Sequence, residues 1–218
     1  MMRHLLYHIT PMGCWRDNLK KLNEYIHVFT GVRLAVVAQG EGLEPLRDIE
    51  SELSEFDHIW PMQNDPELRE TSSLVFLLGA LNRYASKTEG ITFFAHTKGV
   101  TRGDNPAVRL WTELSYEKNL GDIKAVDRAL ETHAVAGCFR RHGKFQVLGP
   151  ACDWHYSGTF FWFSNLRLYQ KPWLAAIQRT RYGAEAFPGI LFKLEESFCL
   201  YADNCDSCYR MNNLMALV

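Results

Sequence analysis

The sequence predicts an α/β fold of Rossmann-like type, a mostly parallel central sheet flanked by helices. Three observations predict it. Short apolar runs alternate with stretches of helical periodicity through the first half of the chain. In the run Arg33-Leu34-Ala35-Val36-Val37-Ala38 the five residues after Arg33 are apolar at successive positions, as a strand covered on both faces requires. The composition, 218 residues with 47% hydrophobic content and a net charge of -1, is that of a chain that buries a substantial core and is not intrinsically disordered.

The elements follow in order. Residues 5–9 are a short apolar run closed by the turn cluster Thr10-Pro11-Met12-Gly13, hence a first strand and its loop. Trp15, Leu19, Leu22, Tyr25, Ile26 and Phe29 form a helical stripe, with Arg16, Asp17, Lys20 and Lys21 opposite. Residues 33–38 are the second strand, and a helix is expected over 43–53. Residues 58–62 read as a third strand closed by Asn64-Asp65-Pro66. Residues 68–86 read as a long helix, apolar on most sides, that lies across the middle of the sheet. The fourth strand, 91–95, runs straight into His96-Thr97-Lys98-Gly99.

Beyond this point the alternation breaks. Helices are expected over 107–119 and 122–132, a strand over 134–141, and an aromatic strand over 158–163. Two more helices are expected over 166–178 and 184–198. No linker or internal repeat interrupts the chain, so a single domain over 1–218 is expected. Within it, 1–100 would be a nucleotide-binding half, 101–203 an acceptor half and 204–218 a tail.

Charge and cysteine usage narrow the function classes. With 24 basic and 25 acidic residues the chain has no overall positive field, which disfavours general nucleic-acid binding. No stretch approaches the roughly 18 apolar residues of a spanning helix, and the start lacks a secretory apolar region; a cytoplasmic protein is expected. The six cysteines are scattered, as reduced thiols are. Only Cys199, Cys205 and Cys208 cluster, and they would need a fourth ligand such as Asp203 or Asp206 to hold zinc.

Ligands of open parallel sheets sit beyond the carboxyl ends of the strands, so the loops there are the first suspects. His96-Thr97-Lys98-Gly99-Val100-Thr101-Arg102 offers an imidazole, a hydroxyl, two cations and a glycine-permitted backbone, a set that can neutralise a diphosphate. His8 ends the first strand. Asp153, His155 and Ser157 crowd the entrance of the aromatic strand beside Gly158, where a backbone can approach a ligand closely. Glu185 precedes Ala186-Phe187-Pro188-Gly189, where a turn is expected. Glu67, Arg69 and Glu70 open the long apolar helix, as dipole compensation or as ligand contacts. No Walker A loop, Gly-x-Ser-x-Gly elbow, His-Glu-x-x-His or G-x-G-x-x-G occurs, which leaves transfer or binding chemistry.

The strand ending in His96-Thr97-Lys98-Gly99, then Trp111, then Ser157-Gly158-Thr159-Phe160-Phe161-Trp162 resembles a group of glycosyltransferase-like proteins. Members carry an H-T-K-G strand end and a later S-G-[NT]-F-[WF]-W strand, and occur with polysaccharide and glycan loci. Tyr7-His8, Trp15, Asn18-Leu19, Phe29-Thr30-Gly31, Leu68-Arg69-Glu70-Thr71 and Glu185-Ala186-Phe187-Pro188 extend the resemblance over residues 7 to 201.

The resemblance implies a GT-A-type sandwich that moves a sugar from a nucleotide diphosphate donor to a hydroxyl acceptor, a glycan or polysaccharide. GT-A enzymes hold Mn²⁺ or Mg²⁺ with an Asp-x-Asp motif that this chain lacks. His8, Arg69, His96, Thr97, Lys98, Gly99, Arg102, Ser157 and Gly158 would then bind the donor, with Lys98 and Arg102 replacing the metal's charge. Glu185, or failing it Asp153, would be the base, and His155 would orient the acceptor or the base. Alternatively, His96, Asp153 and His155 would hold a divalent ion. The competing expectation is a non-catalytic sugar-nucleotide-binding or scaffold protein of the same fold.

Overall fold

A computed structural model describes residues 1–103 and 105–204. It is an α/β structure built on one seven-stranded sheet. The strands are β1 (Arg3–Ile9), β2 (Arg33–Gln39), β3 (His58–Gln63), β4 (Ile91–His96), β5 (Val135–Cys138), β6 (Arg140–His142), β7 (Trp154–Tyr156), β8 (Phe161–Ser164) and β9 (Ser197–Tyr201). The main sheet runs β3-β2-β1-β4-β8-β5-β9, and β6 and β7 form a separate antiparallel pair. Within the main sheet β8 alone is antiparallel to its neighbours. Strands from both halves of the chain thus share one sheet.

Successive strand residues point to opposite faces, and both faces are covered. Leu5, Tyr7, Ile9, Ala35, Val37, Phe93 and Ala95 enter one core together with Trp15, Leu19, Leu22 and Tyr116. These last residues belong to α1 (Trp15–Glu24) and α4 (Pro106–Leu120). Leu6, Leu34, Val36, Phe94, Phe161 and Phe163 enter the other, against Leu74, Leu77, Leu78 and Leu81 of the next helix. By the same parity His8 and His96 belong to the second face.

The chain runs outward from β1 to β3 and then returns to place β4 on the other side of β1, so the sheet order reverses between β1 and β4. His8 and His96 are register partners at the carboxyl end of that junction.

Local chemistry explains several departures from the sequence reading. The first helix ends at Glu24 and passes into a 3-10 turn over Ile26–Val28. The expected helix over 43–53 shrinks to α2 (Leu46–Ile49) and a 3-10 turn over Glu50–Leu53, because Pro45 sets its start. Helix α3 spans Glu70–Tyr84; Phe76 and Tyr84 on its outer side stay exposed, so it is not apolar all round. Helix α5 spans Ile123–Thr132, capped by the Asp122 carboxylate.

The expected strand over 134–141 is two strands in two sheets, separated by Phe139 at φ 55°. The aromatic strand begins at Phe161, since Gly158 and Thr159 form a left-handed turn with φ 102° and 64°. Pro172 splits the expected helix over 166–178 into α6 (Asn165–Tyr169) and α7 (Trp173–Ala176).

Helix α8 (Gly183–Leu191) continues through Pro188, and its successor segment pairs with β5 as strand β9. Hence no turn occurs at Ala186-Phe187-Pro188-Gly189. Gly189 is needed there for close packing: a Cβ would lie 1.7 Å from the Trp154 carbonyl oxygen. No described helix is long and apolar enough to cross a membrane.

Candidate functional site

A cavity of about 210 Å³ opens beyond the carboxyl ends of β1 and β4. It is lined by Arg69 and Glu70 from the start of α3, and by His96, Lys98, Gly99, Thr101 and Arg102 from the end of β4 and its loop. Val108 and Trp111 of α4, Gly158 and Thr159 of the turn before β8, and Arg181, Tyr182 and Glu185 around the start of α8 complete it. A larger cleft of about 290 Å³ lies between α1 and α4 and shares Lys98, Gly99 and Val108 with it. That cleft holds no imidazole, and it includes neither Glu70 nor Glu185.

The loop after β4 is fixed from behind. The Asn18 side chain accepts the Lys98 N–H and donates to the Lys98 carbonyl, both at 3.0 Å. Thr97 donates its N–H to the His8 carbonyl, and its hydroxyl accepts the Thr10 N–H at 2.8 Å. Gly99 sits at φ 74°, where a Cβ would stand 2.5 Å from Val108. These bonds leave the Lys98 side chain to run across the Trp111 ring, with Nζ 3.5 Å from its centroid. Lys98 is nonetheless buried.

Opposite, the Ser157-Gly158-Thr159 turn is held to both sides of the cavity. Glu185 accepts the Gly158 N–H at 3.1 Å, and the Gly158 carbonyl meets His96 Nε2 at 3.1 Å. The buried His155 backs this arrangement: its Nε2 is 3.3 Å from Ser157 Oγ and 3.8 Å from Glu185 Oε1. Arg69, at φ 51° and ψ −132°, precedes α3, whose approach is secured by the Asp65 carboxylate accepting the Glu67 and Leu68 N–H groups. Asp65 therefore secures the turn that leads into the helix.

Burial governs the titration of the site. It lowers the affinity of His8 and His155 for a proton, each to a pKa of about 4, so both rings are neutral at pH 7. His96 is lowered for the same reason, against the pull of Glu70. Burial raises the Glu185 carboxyl above the ordinary range; Lys98 and the Gly158 N–H oppose this, and Glu70 adds to it. For Glu70 burial pushes upward too, but His96, His8, its own backbone N–H and Lys98 together hold it below the usual value.

The structure brings together seven of the expected site residues in this cavity: Arg69, His96, Lys98, Gly99, Arg102, Gly158 and Glu185. His8 lies beside it, lining a shallow crevice with Ala38, Gln63, Asp65 and Arg69 beyond β1, β2 and β3. Thr97 and Ser157 are buried and spend their hydroxyls on Thr10 and His155, so they brace the site from outside the cavity. His155 stands behind Glu185.

Asp153 is placed elsewhere. Its carboxylate is 69% exposed and 3.6 Å from Lys144, near the small β6–β7 sheet. The alternative metal set of His96, Asp153 and His155 is therefore not assembled, and no group of three His, Cys, Asp or Glu fit to hold a metal ion occurs among the described residues. Of the cysteine cluster, Cys205, Cys208 and Asp206 lie outside the described residues, while Asp203 pairs with Arg140 and His142.

The sequence reading passed over Arg181 and Tyr182. Their signal was weak: two arginines and a tyrosine ahead of a glycine, between two expected helices.

No protein family matches the chain's sequence, and no curated protein matches it. Among 9 matching chains of known structure is one described as the crystal structure of 4-diphosphocytidyl-2C-methyl-D-erythritol synthase. The match covers 99% of this chain and 95% of that one, at 10% identity and a TM-score of 0.45.

Proposed function

We propose that the chain transfers a glycosyl group from a nucleotide diphosphate donor to a hydroxyl acceptor, a glycan or polysaccharide. One observation carries this reading. At the point where the sheet order reverses, Arg69, Lys98, Arg102 and Arg181 line one cavity with the carboxylates Glu70 and Glu185. Cations suit a diphosphate, and carboxylates suit sugar hydroxyls and proton transfer.

The diphosphate sits against Lys98, Arg69 and Arg102. Negative charge grows on it as the glycosidic C–O bond breaks, and fixed cations in a partly dry cavity stabilise that charge without reorganising. Asn18 and Trp111 hold Lys98 in place, so its ammonium is positioned before the donor arrives. The sugar faces the Gly158 turn and the two carboxylates, one of which takes the acceptor proton.

The test is thermal stabilisation of the full chain by UDP, GDP, CDP, ADP and dTDP and their common sugar conjugates, each in EDTA and in Mn²⁺. A ligand at a hundred times its dissociation constant adds about 2.7 kcal/mol of stability. A shift with one diphosphate, followed by release of that diphosphate from its sugar conjugate, supports transfer. A shift without turnover favours the binding protein, and no shift with any nucleotide overturns the donor site.

A further inference from the structure

Two carboxylates share the cavity, and their surroundings differ. Glu185 is engaged: one oxygen accepts the Gly158 N–H, and the buried His155 stands 3.8 Å behind that same oxygen. Its geometry is that of a group securing the turn. Glu70, the first residue of the fifteen-residue helix α3, is half-buried in the cavity wall. Apart from its own backbone N–H, its carboxylate has no ion pair or hydrogen bond among the described residues. Its acceptor capacity therefore faces the cavity.

Resting on the transferase reading, we infer that Glu70 is the catalytic base of this site, the carboxylate that takes the acceptor's proton. The groups that face it come from every side: His8 from β1, His96 and Lys98 from β4 and its loop, and Glu185 from α8. Burial works against the charge on Glu70, and His96, His8, its own backbone N–H and Lys98 outweigh it, so the carboxyl lies below the usual range. Glu185 has the opposite tendency, toward the protonated form. Environments that push two carboxyl groups apart divide acid from base.

In the step, the acceptor O–H gives its proton to Glu70 while its oxygen forms the new bond to the anomeric carbon. The anomeric C–O(phosphate) bond breaks, and the nucleoside diphosphate leaves with the electron pair. The proton on Glu70 returns to water after release.

The experiment uses the full chain with UDP-glucose, UDP-galactose, UDP-N-acetylglucosamine and GDP-mannose as donors, and methyl glycosides or water as acceptors. Released diphosphate is measured for wild type, Glu70→Gln, Glu70→Ala, Glu185→Gln, Glu185→Ala and the exposed control Glu67→Gln. Circular dichroism and melting check that each variant folds. General bases are worth about 10²–10⁴-fold, so Glu70→Gln is expected to lose at least a hundredfold in kcat with donor KM changed less than about threefold.

Formate, a small external carboxylate, is expected to restore turnover at least about tenfold in Glu70→Ala and not in Glu185→Ala. Glu67→Gln is expected to match wild type. Glu70→Gln within a few-fold of wild type, or formate rescue confined to Glu185→Ala, overturns the assignment and leaves the transferase reading standing. Diphosphate binding without turnover in wild type favours the binding protein over the transferase, and the assignment falls with that reading. No diphosphate binding at all sinks the transferase reading, and the assignment falls with it.

Discussion

Asn18 of α1 clasps the main chain of Lys98 from both sides, donating to its carbonyl and accepting its N–H at 3.0 Å each, across 80 residues of sequence. A buried asparagine thus fixes the peptide from which the site's central cation projects, and the Trp111 face fixes the other end of that side chain. Position is set by hydrogen bonds behind the loop, and charge is delivered in front of it.

Asn18→Leu removes both bonds and leaves the buried Lys98 N–H without its acceptor. An unsatisfied buried group costs about 1–3 kcal/mol. For a chain of this size the melting temperature is expected to fall by roughly 2–12 °C, and affinity for the stabilising diphosphate should fall with it. A variant that melts like wild type and binds UDP or GDP equally well would show that the clasp does not position Lys98.

Lys98→Ala takes the cation away while keeping the Asn18 clasp, which uses only the main chain. Hydrogen bonds to charged groups are worth about 1.5–3 kcal/mol, so diphosphate affinity is expected to drop by roughly tenfold to a hundredfold. Turnover should fall strongly, and the fold should persist. Isothermal titration calorimetry with the diphosphate found in the thermal panel, alongside far-ultraviolet circular dichroism, checks both halves.

Gly158→Ala probes the opposite wall. The residue sits at φ 102°, and a Cβ would stand 3.1 Å from Lys98 Cε and Nζ and from the Trp111 ring. Backbone strain of this kind costs on the order of 1–3 kcal/mol, and the methyl would crowd Lys98 against Trp111. Lower stability in urea together with weaker diphosphate binding is the expected pair of results; unchanged binding would place the diphosphate away from Lys98.

The pH dependence of stability follows from His8 and His155. Both are buried, with pKa values of about 4 in the folded chain, whereas an unfolded histidine titrates near 6.5. Between these values the unfolded chain binds protons that the folded chain refuses, so stability rises with pH and is lost as pH falls. The two residues together account for a loss on the order of 5 kcal/mol between about pH 6.5 and 4. Urea midpoints at pH 7, 5.5 and 4.5 measure it, and His155→Gln should flatten the slope by about half. A flat wild-type profile would mean that these rings titrate in the fold as they do in the unfolded chain.

Much of the fold was legible because it is written locally. β1, β2, β3 and β4 are short apolar runs, and each was expected within two residues of its observed bounds. The loop from His96 to Arg102 could be singled out because strand ends of a parallel sheet collect ligands. β7 and β9 were not legible: Trp154–Tyr156 is only three residues long, and Ser197–Tyr201 follows a helix without a break signal. Their strand state comes from pairing with β6 and β5.

The candidate site divides the same way. The amino-acid sequence by itself determined the residue types, the sheet's α/β character and the cluster at 96–102, because each depends on neighbours a few positions apart. Tertiary structure decided which carboxylates meet Lys98. It set Asp153 in solvent beside Lys144 and seated Glu185 against the Gly158 N–H. It also turned Glu70 from the opening residue of a helix into a wall of the cavity. Those outcomes depend on where β4, α3 and α8 converge, and convergence of distant segments is fixed by packing around the sheet, which no local pattern of residues records.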